Sequence, residues 1–462
     1  LSRLVIVSNR VALPREKAAR AGGLAVALRE ALARSGGLWF GWSGETTPGA
    51  PANEPHVMRS GKVIYATVDL SEADYQDFYV DFANGMIWPL FHYRIGLSNF
   101  RRSAYEGYVR VNAAFARQLA ALLQPDDIIW VHDYHFIPLG AELRKLGVRN
   151  RIGFFLHIPF PMPELLVALP VHKRLIADLC CYDLVGFQTE EDVRALHRYV
   201  LEEAAGRITC GQVIETFGQS TRVAAFPIGI DAERFVELAE NAVQSEETMR
   251  LRDSLAGRGL VIGVDRLDYS KGLTQRLEAF QELLTSWPEH KSRVTFMQIA
   301  PVSRGELAQY RALRRELEGL AGRVNGKFSE FDWTPVRYLN KPLPREVLAG
   351  FFRASRVGLI TPIRDGMNLV AKEFVAAQDP SDPGVLVLSR FAGAARELRD
   401  ALIVNPYDID EVAAAMHTAL TMPLEQRIAR WTTMMNVVAR NTVTVWRERF
   451  LDTLAQIPVR AA

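Results

Sequence analysis

The sequence predicts an α/β protein of two doubly wound domains facing a shared cleft, and three observations carry that reading. Short apolar runs alternate with longer helical patterns along most of the chain. The runs are continuous rather than alternating, as expected of strands buried on both faces of a parallel sheet. A polar, charged stretch interrupts the alternation midway, and the alternation then starts again. Such a pattern implies right-handed crossovers between parallel strands.

The first half offers strand candidates at 4–9 (LVIVSN), 63–68 (VIYATV), 127–133 (DIIWVHD), 151–158 (RIGFFLHI), 183–188 (DLVGFQ) and 222–230 (RVAAFPIGI). The second half offers 260–267 (LVIGVDRL), 294–300 (VTFMQIA), 357–362 (VGLITP), 384–389 (GVLVLS) and 401–406 (ALIVNP). Helical patterns lie between them, among them 24–35, 190–205 and 410–422. The charged segment 232–259 separates the halves and sets the expected domains at 1–240 and 241–442. The tail 443–457 (VTVWRERFLDTLAQI) again has helical periodicity.

Bulk properties narrow the function. A chain of 462 residues is too long for one core. Its 48% hydrophobic and 23% charged content is that of a soluble globular protein. A net charge of +2 supplies no global field for nucleic acid or an anionic membrane, so neither partner is expected. No apolar run approaches the ~20 residues of a membrane span. Cys180, Cys181 and Cys210 form no disulfide framework and no zinc spacing, which fits reduced thiols in a cytoplasmic protein. A strand pattern begins within a few residues of Leu1, leaving no room for a signal peptide. The oligomeric state stays open, a homo-oligomer included.

Ligands of doubly wound sheets bind outside the carboxyl ends of the strands. The first strand ends in SNR, putting Arg10 at that rim; Gly22 and Gly23 then open a helical pattern, where backbone N–H groups can approach an anion. DIIWVHDYH ends in Asp133 between His132 and His135, and RIGFFLHIPFP ends in His157. VIGVDRLDYSKGL carries Arg266 and Lys271, a basic turn suited to a diphosphate. Arg304 follows VTFMQIAPVSRG. In VGLITPIRDGMNLVAKEF, Asp365 and Gly366 make a turn, and a helix is expected from Met367 with its free N–H groups toward the ligand. Asp408-Ile409-Asp410 matches a DxD metal pattern, but it directly precedes a helix, where an aspartate N-cap is expected; no metal site is expected.

SNR, AGGL, GLWFGWSG, Trp88-Pro89, HDYH, FLHIPFP, DRLDYSKG, APVSRG and RDGMNLVAKEF occur in this order over essentially the whole chain. The ordered set closely resembles the trehalose-6-phosphate synthases. That resemblance implies the GT-B fold of two Rossmann-like domains, with a C-terminal helix (about 443–462) crossing back onto the first. It implies retaining, metal- and cofactor-independent transfer of glucose from UDP-glucose to glucose 6-phosphate, giving α,α-trehalose 6-phosphate and UDP. Asp133, His157, Arg266 and Lys271 would be the catalytic set, with Arg266 and Lys271 clamping the diphosphate and His157 hydrogen-bonding the donor glucose. Gly22 and Gly23 would approach the phosphates from the other domain. Asp365 and the backbone at Met367, Asn368, Leu369 and Val370 would hold the donor sugar and diphosphate, Glu373 the ribose, and Leu343 the uracil. Arg10, Tyr79 and Arg304 would bind the acceptor's 6-phosphate, Asp133 an acceptor hydroxyl, and Trp42 and Trp88 the sugar faces. Trp88 and Ile158 would choose the acceptor anomer.

Two other readings stay open at this point. The same fold could use another phosphorylated acceptor, such as glycerol 3-phosphate, or perform a pseudo-glycosyl coupling. A catalytically silent sensor of UDP-sugar or sugar phosphate is the reading from another class. The intact Arg266/Lys271 and Asp133/His157 pairs weigh against it.

Overall fold

A computed structural model describes residues 2–14, 28–29, 32, 36–49, 51–52, 54–305 and 307–460. Two compact units are present: Leu1–Pro227 with Trp446–Ala462, and Ile228–Val445. The boundary expected at 240/241 therefore moves to 227/228. The reason is the helix Ala232–Asn241, whose polar surface suggested a linker but whose Phe235 is buried 6.5 Å from Phe352 of the second unit.

The first unit holds strands β1 (Leu4–Arg10), β2 (Gly37–Thr47), β3 (His56–Ser60), β4 (Val63–Ser71), β5 (Ile128–His132), β6 (Arg151–Phe155), β7 (Leu184–Phe187), β8 (Arg207–Thr209), β9 (Val213–Thr216) and β10 (Gln219–Ala225). Their order is β3-β4-β2-β1-β5-β6-β7-β10-β9-β8. From β4 to β10 every neighbour is parallel, while β3, β9 and β8 add antiparallel edges. Val5, Ile6 and Val7 of the central β1 are fully buried, as a strand covered on both faces requires.

β2 carries glycines because it lies tight against β1. A Cβ at Gly37 would sit 2.3 Å from the Leu4 carbonyl oxygen, and one at Gly41 would sit 2.0 Å from that of Ser8. Glycines also receive the C-terminal helix Val443–Ala455. A Cβ at Gly153 of β6 or Gly186 of β7 would come within 2.7 Å of the Phe450 ring. Phe450 instead fills that slot and stacks on Trp130 at 4.8 Å, with Trp446 beside it. Trp446 and Phe450 are almost fully buried. Each aromatic pair of this kind adds about 0.5–1.5 kcal/mol beyond area burial.

The second unit has β11 (Gly259–Val264), β12 (Val294–Ile299), β13 (Val336–Leu339), β14 (Val357–Ile360), β15 (Val385–Ser389) and β16 (Leu402–Val404). They form an all-parallel sheet in the order β13-β12-β11-β14-β15-β16. Counted from β11 this is the 3-2-1-4-5-6 order of a doubly wound nucleotide-binding fold, with the chain reversing direction between β11 and β14. The parallel strands of the first unit reverse in the same way between β1 and β5.

Candidate functional site

In the first unit the candidate side chains gather where β1 and β5 part. Arg10 ends β1 opposite Trp42 of β2, and Gly44 leaves room for its guanidinium, 3.0 Å from where a Cβ would stand. Trp42 is buried, its Nε1 donating to the Glu45 carbonyl at 2.7 Å. Its ring lies 5.7 Å from Tyr79, which stacks on His135 at 5.8 Å. Tyr79 belongs to a π-helix, Tyr75–Ile87, which leads directly into a buried Trp88. Asn84 fixes that wide turn, donating to the Tyr79 carbonyl and accepting from the Tyr134 hydroxyl, both at 2.8 Å. Wide helical turns of this sort are rare and concentrate at functional sites.

Asp133 closes β5 with φ 76° and ψ 167°, a region that side chains seldom enter. Its Oδ1 accepts from the His157 backbone N–H at 3.2 Å, joining the ends of β5 and β6. Ile158, next along, is buried. The His157 ring meets His132 through Nε2 and Nδ1 at 3.1 Å, a bond that needs one nitrogen without a proton. Burial lowers the His157 pKa to about 3, and burial plus the neighbouring His157 hold His132 well below its ordinary value. Both rings are thus neutral near pH 7. In the sequence His132 stands out only as a neighbour of Asp133. The structure bonds it to the His157 ring, with Trp446 6.0 Å from His157 and 6.2 Å from His132.

In the second unit the candidates gather where β11 and β14 part. Lys271 Nζ lies 2.5 Å from Asp365 Oδ2, both side chains largely buried. Gly272 makes that approach possible: it holds φ 65°, and a Cβ there would lie 2.3 Å from the Thr361 carbonyl oxygen. Asn368 donates to Asp365 at 3.0 Å and caps the following helix by accepting from Ala371 N–H at 3.1 Å. That helix is Leu369–Ala377. It starts two residues later than expected because Asn368, at φ 81°, is the cap and Met367 precedes it. Met367 is buried, and its carbonyl accepts from Ala394 N–H. Leu369 and Val370 are half-buried on the first turn.

Glu373 is paired with Arg345 at 3.0 Å, so Asp365 and Glu373 each have their own cation. Burial raises the Glu373 pKa and Arg345 opposes the rise. Leu343 is half-buried two residues before Arg345. From behind the helix, buried Lys372 donates to the Ile228 carbonyl at 2.8 Å and to Glu397 at 2.6 Å. Arg266 is exposed just past β11. Arg304 lies past β12 with φ 51°, its Nη1 2.8 Å from the Tyr310 hydroxyl and 3.4 Å from Asp268 Oδ2. Asp268 was legible as part of DRLDYSKG, but Tyr310 and Arg345 carried no signal in the sequence. Gly22 and Gly23 lie outside the described residues. Asp408 Oδ1 accepts from Glu411 N–H at 3.0 Å and caps the helix Ile409–Thr421. Of the cysteines, Cys180 is buried, Cys181 half-buried and Cys210 exposed, all as free thiols. Among the described residues no helix is long and apolar enough to cross a membrane.

Two Rossmann-like domains with cationic and carboxylate side chains at both switch points define a glycosyltransferase of the GT-B class. Residues 2–456 match the model of Glycosyltransferase family 20. A trehalose-6-phosphate synthase of Salmonella choleraesuis (strain SC-B67) is 50% identical over 464 residues, covering 100% of this chain and 97% of the relative. A crystal structure of an alpha,alpha-trehalose-phosphate synthase (UDP-forming) from Burkholderia xenovorans in complex with glucose-6-phosphate has a TM-score of 0.95 at 50% identity, covering 98% of this chain and 100% of that one. An E. coli structure bound with UDP-2-fluoro glucose has a TM-score of 0.95 at 48% identity, covering 99% and 100%. The chain belongs to glycosyltransferase family 20, among the trehalose-6-phosphate synthases, and is a UDP-forming glycosyltransferase of that kind.

Proposed function

We propose that the enzyme transfers glucose from UDP-glucose to glucose 6-phosphate with retention, yielding α,α-trehalose 6-phosphate and UDP and serving trehalose biosynthesis. The observation that carries this is the full-length identity of 50% to an enzyme solved with glucose-6-phosphate. The E. coli relative bound with UDP-2-fluoro glucose supports the donor.

In this reading the second unit holds the donor. Arg266 and Lys271 neutralise the diphosphate, aided by the N-terminus of the helix Leu369–Ala377. The backbone from Met367 to Val370 borders the donor, Glu373 takes the ribose hydroxyls, and Leu343 borders the uracil. Gly22 and Gly23 approach the phosphates. Asp365, steadied by Lys271 and Asn368, takes donor sugar hydroxyls. Arg10, Tyr79 and Arg304 take the acceptor phosphate, with Asp133 on an acceptor hydroxyl and Trp42, Trp88 and Ile158 shaping the sugar site.

The carboxylates at the strand ends are all engaged in these roles, and a double displacement needs one placed beneath the anomeric carbon. A front-face route fits the residues better. The bond to the leaving phosphate breaks, an oxocarbenium-like centre develops, and the acceptor hydroxyl attacks on the same face. Its proton passes to the departing phosphate oxygen, whose charge Arg266 and Lys271 stabilise. His157, neutral and oriented by His132, donates or accepts a hydrogen bond at the donor glucose. UDP release from UDP-glucose, measured across a panel of phosphorylated acceptors, tests the reading. Glucose 6-phosphate should exceed glycerol 3-phosphate and other acceptors in kcat/KM, and equal use of several acceptors would overturn it.

A further inference from the structure

The loop before β12 carries a feature that the glycosyl transfer does not use. Glu289 and His290 both lie in the short 3-10 turn Pro288–His290, and His417 lies in the last part of the helix Ile409–Thr421. His290 Nε2 faces His417 Nδ1 at 2.9 Å, and Glu289 Oε1 is 4.0 Å from the same His417 nitrogen. Among the described residues this is the one group of three metal-ligating side chains with its donor atoms all within 4.8 Å.

We propose that Glu289, His290 and His417 bind a single divalent transition-metal ion of the zinc or nickel class, at a site separate from the catalytic one. Two imidazoles and one carboxylate form a donor set that zinc takes with the fourth position left to water. Metal–nitrogen and metal–oxygen bonds of about 2.0–2.2 Å put tetrahedral ligand atoms about 3.3 Å apart. The two nitrogens need only open by a few tenths of an ångström. The carboxylate starts 4.0 Å from His417 Nδ1 and within 4.8 Å of the His290 nitrogen, so it needs to close by about 0.7–1.5 Å, which an exposed glutamate can do by changing rotamer. Glu289 has that freedom, its side chain being 55% exposed.

The imidazoles are held ready. Trp287 stacks on His417 at 4.9 Å and 15°, setting its ring plane, and the backbone N–H of His290 donates to the Trp287 carbonyl at 3.1 Å, closing the turn from which the His290 ring projects. Burial and the facing His417 lower the His290 pKa, favouring the neutral form that ligates metal. Two nitrogen donors disfavour Mg²⁺ and Ca²⁺, which prefer oxygen. His290 precedes β12, whereas Arg304 follows it, so the strand separates this group from the candidate acceptor arginine by about 20 Å. An ion here would tie the turn to the helix and stabilise the second unit by mass action.

Isothermal titration of the full, tag-free, EDTA-dialysed chain with ZnCl₂ tests the proposal. Wild type should take up a single Zn²⁺ and give no heat with MgCl₂. His417→Gln and the exposed-site change Glu289→Gln should each weaken zinc by about tenfold or more. Co²⁺ should give wild type the strong visible bands of a four-coordinate site, and His417→Gln should lose them. Equal zinc affinity in wild type and Glu289→Gln, or Co²⁺ bands that persist in His417→Gln, would overturn it.

Discussion

Arg304→Ala probes the acceptor side most directly. The side chain is 8% exposed, and Asp268 beneath it is fully buried. Asp268 Oδ1 also accepts from Ser270 N–H at 3.0 Å and so holds the turn Tyr269–Lys271 that delivers Lys271. Alanine therefore removes two things at once. The first is the proposed buried, charge-assisted contact to the acceptor phosphate, worth about 1.5–3 kcal/mol. That corresponds to roughly tenfold to hundredfold in KM for glucose 6-phosphate. The second is a partner of a buried carboxylate, whose loss costs up to about 3–5 kcal/mol of stability. The upper end is not reached, because Tyr310 still donates to Asp268 at 3.1 Å. Tyr310→Phe separates the two effects. It deletes the hydroxyl shared by Arg304 and Asp268 and leaves both charges, so a rise of about threefold to tenfold in acceptor KM is expected. Steady-state UDP release, with each substrate varied at saturation of the other, reads both variants. If folded Arg304→Ala raises the UDP-glucose KM as much as the acceptor KM, Arg304 does not belong to the acceptor set.

Activity should survive EDTA, because Lys271 and the capped helix after Asn368 supply positive potential at the diphosphate; full loss restored by Mg²⁺ would refute this. His157→Ala should slow turnover while UDP affinity by titration stays within about twofold, since the ring is assigned to the sugar and not the diphosphate. Because the folded pKa of His157 is lowered to about 3, the unfolded chain binds more protons below its ordinary value of 6.5; the stability from the neutral ring is full above pH 6.5 and is lost as pH falls toward 3. Urea midpoints at stepped pH should fall over that window in wild type and less in His157→Ala. A slow 2-fluoro donor should leave no glucosyl adduct by mass spectrometry, and an adduct on Asp133 or any other carboxylate would end the front-face reading. Asp133→Gly should abolish turnover with Tm no lower than wild type, because it relieves the backbone while losing the side chain.

The strands that were legible share one property. Every expected run pairs in parallel with a neighbour, and most lie buried in a sheet interior; ALIVNP, which holds the short edge strand β16, was legible from its apolar run alone. Those that were not legible lack that signal for separate reasons. β2 trades side chains for glycines to lie against β1. Every residue of the edge strand β3 is exposed, so no apolar pattern forms. β8, β9 and β13 are short strands at or near an edge. The candidate residues were legible as motifs, yet their supports were not. His132 and His157 are 25 positions apart, Arg345 and Glu373 are 28, and Arg304 and Asp268 are 36. The first and last pairs meet because parallel crossovers bring the ends of neighbouring strands together, and Arg345 meets Glu373 because the helices Arg345–Arg353 and Leu369–Ala377 pack side by side; no local pattern encodes either.

Backbone conformation supplies the signal that motifs and periodicity leave out. Asp133, Arg304 and Asn368 all hold positive φ, where glycine would be less strained. Each costs about 1–3 kcal/mol by local rules. All three stand just beyond the carboxyl end of a parallel strand, and each side chain is used: Asp133 on the His157 amide, Arg304 on Asp268 and Tyr310, Asn368 on Asp365 and its own helix. The other side chains with positive φ, such as Ala205, Cys210, Phe217 and Ala256, lie in turns or helix ends away from those strand ends. A local rule broken where the topology places ligands, by a residue whose side chain is fully engaged, is the mark of a conformation retained for function. By that criterion Asn368 is more than a helix cap. Its left-handed turn aims the first N–H groups of the helix and its amide fixes Asp365, so the sugar contact and the diphosphate contact proposed for the donor depend on one residue's φ.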